Sequence, residues 1–301
     1  MYVITGAAGN IGKIVAHELL SNGKQVRVIG RSTGKLNEFI EKGAEAMVGD
    51  VMDPLFVKRA FNGATAVYCM IPPNTHSKDF RDYQGKIAKN YVEAVHTNFV
   101  KYALLLSSIG AHLQNGAGVV DGLSDMEEEF GALKEVNVLN LRPAYFMENL
   151  YGQIDIIKNM GVTGSAVKPD IKVPMVATKD IAAVVAKHLI NLDFKGNSVE
   201  FVLGPRDISY NEIAEILGKA IGKADLKYVQ FSYMDAKKGM VQSGFASENV
   251  ADLLNGLSEA TNLGKTQSAH QRTPLNSTPT TLEDFVMKIA YAYSISEAVV
   301  H

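Results

Sequence analysis

The feature that most constrains this chain is the run Thr5-Gly6-Ala7-Ala8-Gly9-Asn10-Ile11-Gly12. A short apolar segment with Val3 and Ile4 precedes it, and an amphipathic stretch with Ile14, Val15, Leu19 and Leu20 follows. Strand, glycine turn and helix in that order form the βα unit that receives a dinucleotide. Each glycine has a distinct task. Gly6 permits the tight turn, Gly9 lets backbone approach a pyrophosphate, and Gly12 lets the helix pack closely on the strand. Ala8, Asn10 and Ile11 complete the turn, and the helix N-terminus offers N–H groups and a partial positive charge to phosphates.

The rest of the first half repeats this alternation. Strands are expected at Gln25–Ile29, Ala46–Asp50, Ala66–Ile71, Tyr102–Leu106 and Val136–Leu141, with helices over Leu36–Lys42, Asp53–Phe61 and Phe80–Val95 between them. Continuous apolar runs such as Tyr102–Leu106 suit a parallel sheet covered on both faces. The fold class is therefore α/β, a Rossmann-type doubly wound parallel sheet with a smaller C-terminal α/β lobe. Residues 1–150, completed by 174–204, form the expected dinucleotide-binding unit; 205–301 with 151–173 form the substrate or partner lobe. In the second half a helix is expected over Asp180–Leu192 and a strand over Ser198–Leu203. Capping boxes at Ser209–Glu212 and Thr280–Glu283 open two further helices. Residues 262–281 read as a long surface loop.

Composition removes several classes. The 301 residues carry a formal charge of -2 and no basic run, so nothing marks a nucleic-acid partner. The single cysteine, Cys69, excludes an intrachain disulfide and a cysteine-held metal, and it reads as a buried strand residue. No apolar run approaches the roughly 20 residues of a membrane helix. With a strand beginning at residue 2 no signal peptide is expected, and the reading is a cytoplasmic protein.

The segment after the second strand sets the cofactor preference. A carboxylate there would bind a ribose hydroxyl, whereas arginine pairs with a 2′-phosphate. The stretch reads Gly30-Arg31-Ser32-Thr33-Gly34-Lys35. It has no acid, and Arg31, Ser32 and Lys35 can all meet a phosphate. NADP(H) is expected, with NAD(H) as the second choice. Asp50 and Val51 after the third strand are placed beside the adenine.

The stretch Leu139-Asn140-Leu141-Arg142-Pro143-Ala144-Tyr145-Phe146-Met147-Glu148-Asn149-Leu150 closely resembles the NmrA-like family of atypical short-chain dehydrogenases/reductases. So do Thr5–Gly12, Leu106–His112, Val173–Ala182 and Thr278–Phe285. The resemblance covers nearly the whole chain. It implies that Met70, Ile71 and Pro72 flank the cofactor ribose. Ser107 and Ser108 after the fifth strand, and Tyr145 with Phe146 after the sixth, are the candidate groups near the nicotinamide. Ordinary short-chain reductases use Tyr and Lys four residues apart on the helix after the fifth strand. Residues 112–130 contain neither, and Tyr233 to Lys237 lies far from the expected site. Tyr145, Ser107 and His112 remain as catalytic candidates, while Glu127, Glu128 and Glu129 read as a solvated helix face.

Three functions are carried forward. The first is an NAD(P)H-dependent oxidoreductase acting on quinones or similar small electron-poor substrates, for which the apolar Phe231, Met234, Met240 and Phe245 suit a flat substrate. The second is a non-catalytic NADP(H) sensor with a protein partner. The third is a sugar-nucleotide epimerase-like enzyme. No metal is expected, and the chain should act as a monomer or homodimer.

Overall fold

In the computed structural model, which describes residues 1–298, β-branched and apolar runs build one seven-stranded sheet. Its strands are β1 (Tyr2–Ile4), β2 (Val26–Gly30), β3 (Glu45–Val48), β4 (Ala66–Cys69), β5 (Tyr102–Leu106) and β6 (Asn137–Pro143). After the short strands β7 (Tyr145–Phe146), β8 (Val162–Ser165) and β9 (Lys172–Val176), the edge strand β10 (Asn197–Val202) completes it. The order is β10-β6-β5-β4-β1-β2-β3, and every pairing is parallel. The order reverses at β1 and β4, so their carboxyl ends form the crevice where such sheets hold ligands. The Rossmann-type reading of the sheet therefore holds.

Alternation along the strands fills two cores. Ile4, Tyr68, Leu104, Leu139 and Leu141 pack under helices Asn10–Ser21 and Thr178–Asn191. Val3, Val67, Cys69, Leu105 and Val138 pack under Pro54–Ala60, Phe80–Thr97 and Asp121–Gly131. With a side-chain period of two, Asn140 and Arg142 share the second face with Val138. That face thus turns polar toward the carboxyl end of β6.

A third core joins Met147, Leu150, Met175, Ile208, Leu217, Phe285 and Ile289. Around it lie a three-stranded sheet of β7, β9 and β11 (Asp207–Ser209) and a two-stranded sheet of β8 and β12 (Lys227–Gln230). β9 pairs here, while the helix Thr178–Asn191 that follows packs back on Asn10–Ser21. The helices Tyr233–Gln242 and Glu248–Asn262, unforeseen in the sequence, start at Ser232 and Ser247, whose hydroxyls accept from the amides three residues on.

Several expected elements shift. Leu36–Lys42 yields only one turn, Asn37–Ile40. Ser209 and Glu212 do cap each other reciprocally. At the last helix, Leu282–Ala298, the cap is Thr281, whose Oγ1 accepts from Asp284 N at 3.1 Å. Thr280 instead donates its amide and hydroxyl to Asp180. The stretch 262–281 is irregular but not simply a surface loop. Leu203 N donates to Asn276 O and Thr278 N to Leu203 O, and Thr266, Thr278 and Thr280 are buried. Among the described residues no helix is long and apolar enough to cross a membrane.

One ion-pair cluster ties the edge strand β10 to the helix Thr178–Asn191. His188 Nδ1 lies 2.6 Å from Asp193 and Nε2 lies 2.9 Å from Glu200 on β10. The Glu200 contact, followed by Asp193, holds the imidazole above its ordinary value of 6.5 despite burial. A raised folded-state value stabilises the fold fully below the unfolded value, and that contribution fades as pH rises through the folded one. His188→Gln should therefore lower the melting temperature more at pH 6 than at pH 9, measured by differential scanning calorimetry at both.

Candidate active site

The turn after β1 is fixed by one hydroxyl. Thr5 Oγ1 donates to Tyr68 O and accepts from Met70 N, both at 2.9 Å, which locks the end of β1 to the end of β4. Gly6 then adopts φ +61°, and Gly9 N donates to Gly6 O at 2.9 Å. A Cβ on Gly12 would stand 2.4 Å from Gly6 O, and one on Gly6 would stand 2.7 Å from Met70 Sδ. The helix Asn10–Ser21 begins at Gly9 with no side-chain cap, and Ala8, Gly9 and Asn10 are exposed around it. Backbone and helix dipole are therefore presented to solvent at the switch point, the arrangement that suits a pyrophosphate. Ile11 is buried as a packing residue.

Tyr83, which sequence reasoning missed as a site residue, touches one of the crevice loops and feels the charges of two others. Its hydroxyl donates to Pro72 O at 3.0 Å. Burial first, then nearby Asp50, push its phenol up, and Arg31 draws it down. Arg31, Ser32 and Lys35 are exposed at the end of β2, as a phosphate contact requires. Asp50 is exposed and accepts from Met52 N at 2.9 Å, closing a local turn. Val51 is buried with its carbonyl taken by Asn90. Met70, Ile71 and Pro72 are half-buried along the crevice, and Met70 O accepts from Tyr91.

The catalytic candidates do not converge. Ser107 is only 3% exposed, and its hydroxyl donates to Glu127 Oε1. Ser108, half-buried, is the more accessible of the two. Glu127 is not on a solvated face. It is buried, and it accepts from Arg142 Nε at 3.0 Å and from a second guanidinium nitrogen at 2.5 Å. Of the acidic trio only Glu128 is exposed, and Glu129 is half-buried. An arginine on the core-facing side of a strand needs a buried counter-charge, which is the signal that could have found this pair. His112 lies 3.1 Å from Ser268 Oγ, and burial and then Arg142 hold its imidazole below 6.5. Tyr145 faces the third core instead, with electrostatic links to Tyr210 and Tyr228. Burial pushes its phenol up to about 12, so it stays protonated. Phe146 packs on the first core. Cys69 is buried and its thiol is pushed up by burial, which leaves it inert. Tyr233 and Lys237 are engaged by Asn262 and Asp252 on a distant helix. Met234 and Phe245 are exposed, whereas Met240 packs on a small cluster beside Val250.

Three of the quoted signature segments, Leu139–Leu150, Val173–Ala182 and Thr278–Phe285, are joined by one chain of hydrogen bonds. Glu148 accepts from Thr178 N at 3.1 Å and from Thr178 Oγ1 at 2.6 Å. It thereby caps the helix Thr178–Asn191. Asp180 on that helix accepts from Thr280. The segment after β6 is thus pinned from behind.

A parallel sheet with a glycine turn at its switch point defines a nucleotide-binding α/β protein. Residues 2–286 match the NmrA-like family, and the chain belongs to it. It is 26% identical to the NAD(P)H azoreductase of Xenophilus azovorans over 263 residues, 85% of this chain and 86% of that one. Among solved structures it resembles the Citrobacter sp. triphenylmethane reductase complexed with NADP(H), with a TM-score of 0.79, 20% identity and coverage of 96% and 100%. It also resembles an NADPH-dependent quinone oxidoreductase from Escherichia coli solved with NADPH, with a TM-score of 0.77, 20% identity and coverage of 96% and 99%.

Loss of the Glu148 cap removes charge-assisted bonds to a helix terminus. Glu148→Ala should cost about 1–3 kcal/mol of unfolding free energy, read from the urea midpoint at unchanged m-value.

Proposed function

We propose that this chain is an NADP(H)-dependent oxidoreductase that reduces quinones or similar small electron-poor acceptors. The observation that carries the reading is the uncapped glycine cradle at the carboxyl end of β1, beside exposed Arg31, Ser32 and Lys35. The names of its relatives, an azoreductase and an NADPH-dependent quinone oxidoreductase, support it. Residues 1–150 with 174–204 would hold the nucleotide, and 151–173 with 205–301 would cover the acceptor.

Bound NADPH supplies a hydride. The chain's own residues would hold the cofactor: the amides after Gly9 would take the pyrophosphate and Arg31 the 2′-phosphate, with Ser108 and the segment after β6 beside the nicotinamide. Positioning carries most of the rate, because a reduced quinone gains aromaticity and takes protons from water. This matches the absence of an acid at the expected place. The helix Asp121–Gly131 instead brings a carboxylate, Glu127, against Ser107, and it is committed to Ser107 and Arg142.

The same commitment supports a second reading, a sensor that binds NADP(H) without turnover. The two separate in one assay. The reductase oxidises NADPH only when a quinone is added, and Gly9→Glu abolishes both binding and oxidation. Tight binding with no oxidation across a quinone panel would favour the sensor. Arg31→Ala should cut the preference for NADPH over NADH by about tenfold to a hundredfold, as expected for losing a charge-assisted phosphate contact, measured as the ratio of dissociation constants.

A further inference from the structure

Between the helix Glu248–Asn262 and the last helix, the chain runs as a strap along the carboxyl edge of the sheet. Thr266 is buried at its start, and Arg272 holds its far end by donating to Gly204 O and to Asp207. Two side-chain contacts seat the part between. His112, in the short turn after β5, places Nε2 3.1 Å from Ser268 Oγ, and the His270 ring lies 5.6 Å from that of Phe201 on β10. We propose that residues 267–272 form an acid-released strap. Protonation of His112, on the body of the protein, and of His270, on the strap itself, detaches it.

The seat admits neutral rings. Ser268 Oγ gives its proton to Lys265 O at 2.8 Å, so it accepts from His112 Nε2–H. Nδ1 of that ring is then bare, buried and without a hydrogen-bond partner among the described residues. His270 Nδ1 is buried and unpartnered in the same sense. An imidazolium carries N–H on both nitrogens. Each cation would therefore bury a donor with neither water nor an acceptor to meet it, a state that folded proteins avoid.

The surrounding charges act in the same direction. His112 feels Arg142, and the Lys265 carbonyl and Glu127 pull the other way, but Glu127 is committed to Arg142 and Ser107. His270 feels Arg272 and His112 itself, while Asp207, which opposes them, is paired with Arg272. Burial is the largest effect at both rings, and both imidazoles are held below 6.5. A value lowered in the seated form keeps the strap closed above the ordinary value and releases it as pH falls below. Between pH 7.5 and 5.0 each histidine shifts the balance toward release by up to about thirtyfold. Release would uncover the carboxyl ends of β5 and β10, the acceptor side on the oxidoreductase reading, although the switch itself does not rest on that reading.

The chain contains no tryptophan, so one placed at the exposed Ala269 reports on the strap alone. The test is the fluorescence anisotropy of Ala269→Trp from pH 7.5 to 5.0 without nucleotide, with far-UV circular dichroism recorded beside it. Anisotropy should fall reversibly with a midpoint below pH 6.5, at constant dichroism. Adding His112→Gln, which keeps an amide donor for Ser268, and His270→Phe, which keeps a ring on Phe201, should abolish the fall. Constant anisotropy in the parent, the same fall in the variant without these histidines, or a fall that tracks loss of dichroism would each overturn the proposal. With no nucleotide present, none of these outcomes depends on whether the chain oxidises NADPH.

Discussion

Everything at the switch point depends on one close approach. The carbonyl oxygen of Gly6 occupies the place that a Cβ on residue 12 would need, 2.4 Å away. The helix Asn10–Ser21 can therefore seat against β1 only with glycine at that position. Thr5 makes the approach rigid, because its hydroxyl spans two backbone groups at the end of β4. Side-chain-free backbone and an uncapped helix terminus then face the crevice together. An anion supplies there the partner that the terminus otherwise takes from water.

Around that turn, polar residues do mainly structural work. Glu148 caps one helix, Asp180 anchors Thr280, and Glu127 holds both Ser107 and Arg142. The family signature in this chain is thus largely a scaffold that fixes the segment after β6. In the proposed reading the loops near Tyr83, a residue bonded to Pro72 and electrostatically linked to Asp50 and Arg31, would receive the adenosine end of the nucleotide. A reaction in which positioning matters more than acid catalysis is consistent with such a division.

The parallel sheet was legible because its strands are continuous apolar runs between turn signals, and because the glycine spacing has few structural solutions. Arg31, Ser32 and Lys35, exposed just past the end of β2, were legible for the same reason, being local to a strand end. Glu127 was not. Three consecutive acids on a helix carry no local mark of which one turns inward, and its partner Arg142 lies 15 residues on, in another element. Ser107 was found by position, but its commitment to Glu127 is a tertiary fact. Thr281 displaced Thr280 as the cap because Asp180, 100 residues earlier, claims Thr280. The small strands β7, β8, β11 and β12 are too short to show a period.

The most direct test of the central claim is the affinity for NADPH of Gly12→Ala, a single added methyl, beside the unaltered chain. With circular dichroism showing the fold intact, the account predicts tight binding by the native protein and its loss in the variant. Equal affinity in both would contradict it, because the methyl would then fit where the geometry leaves no room.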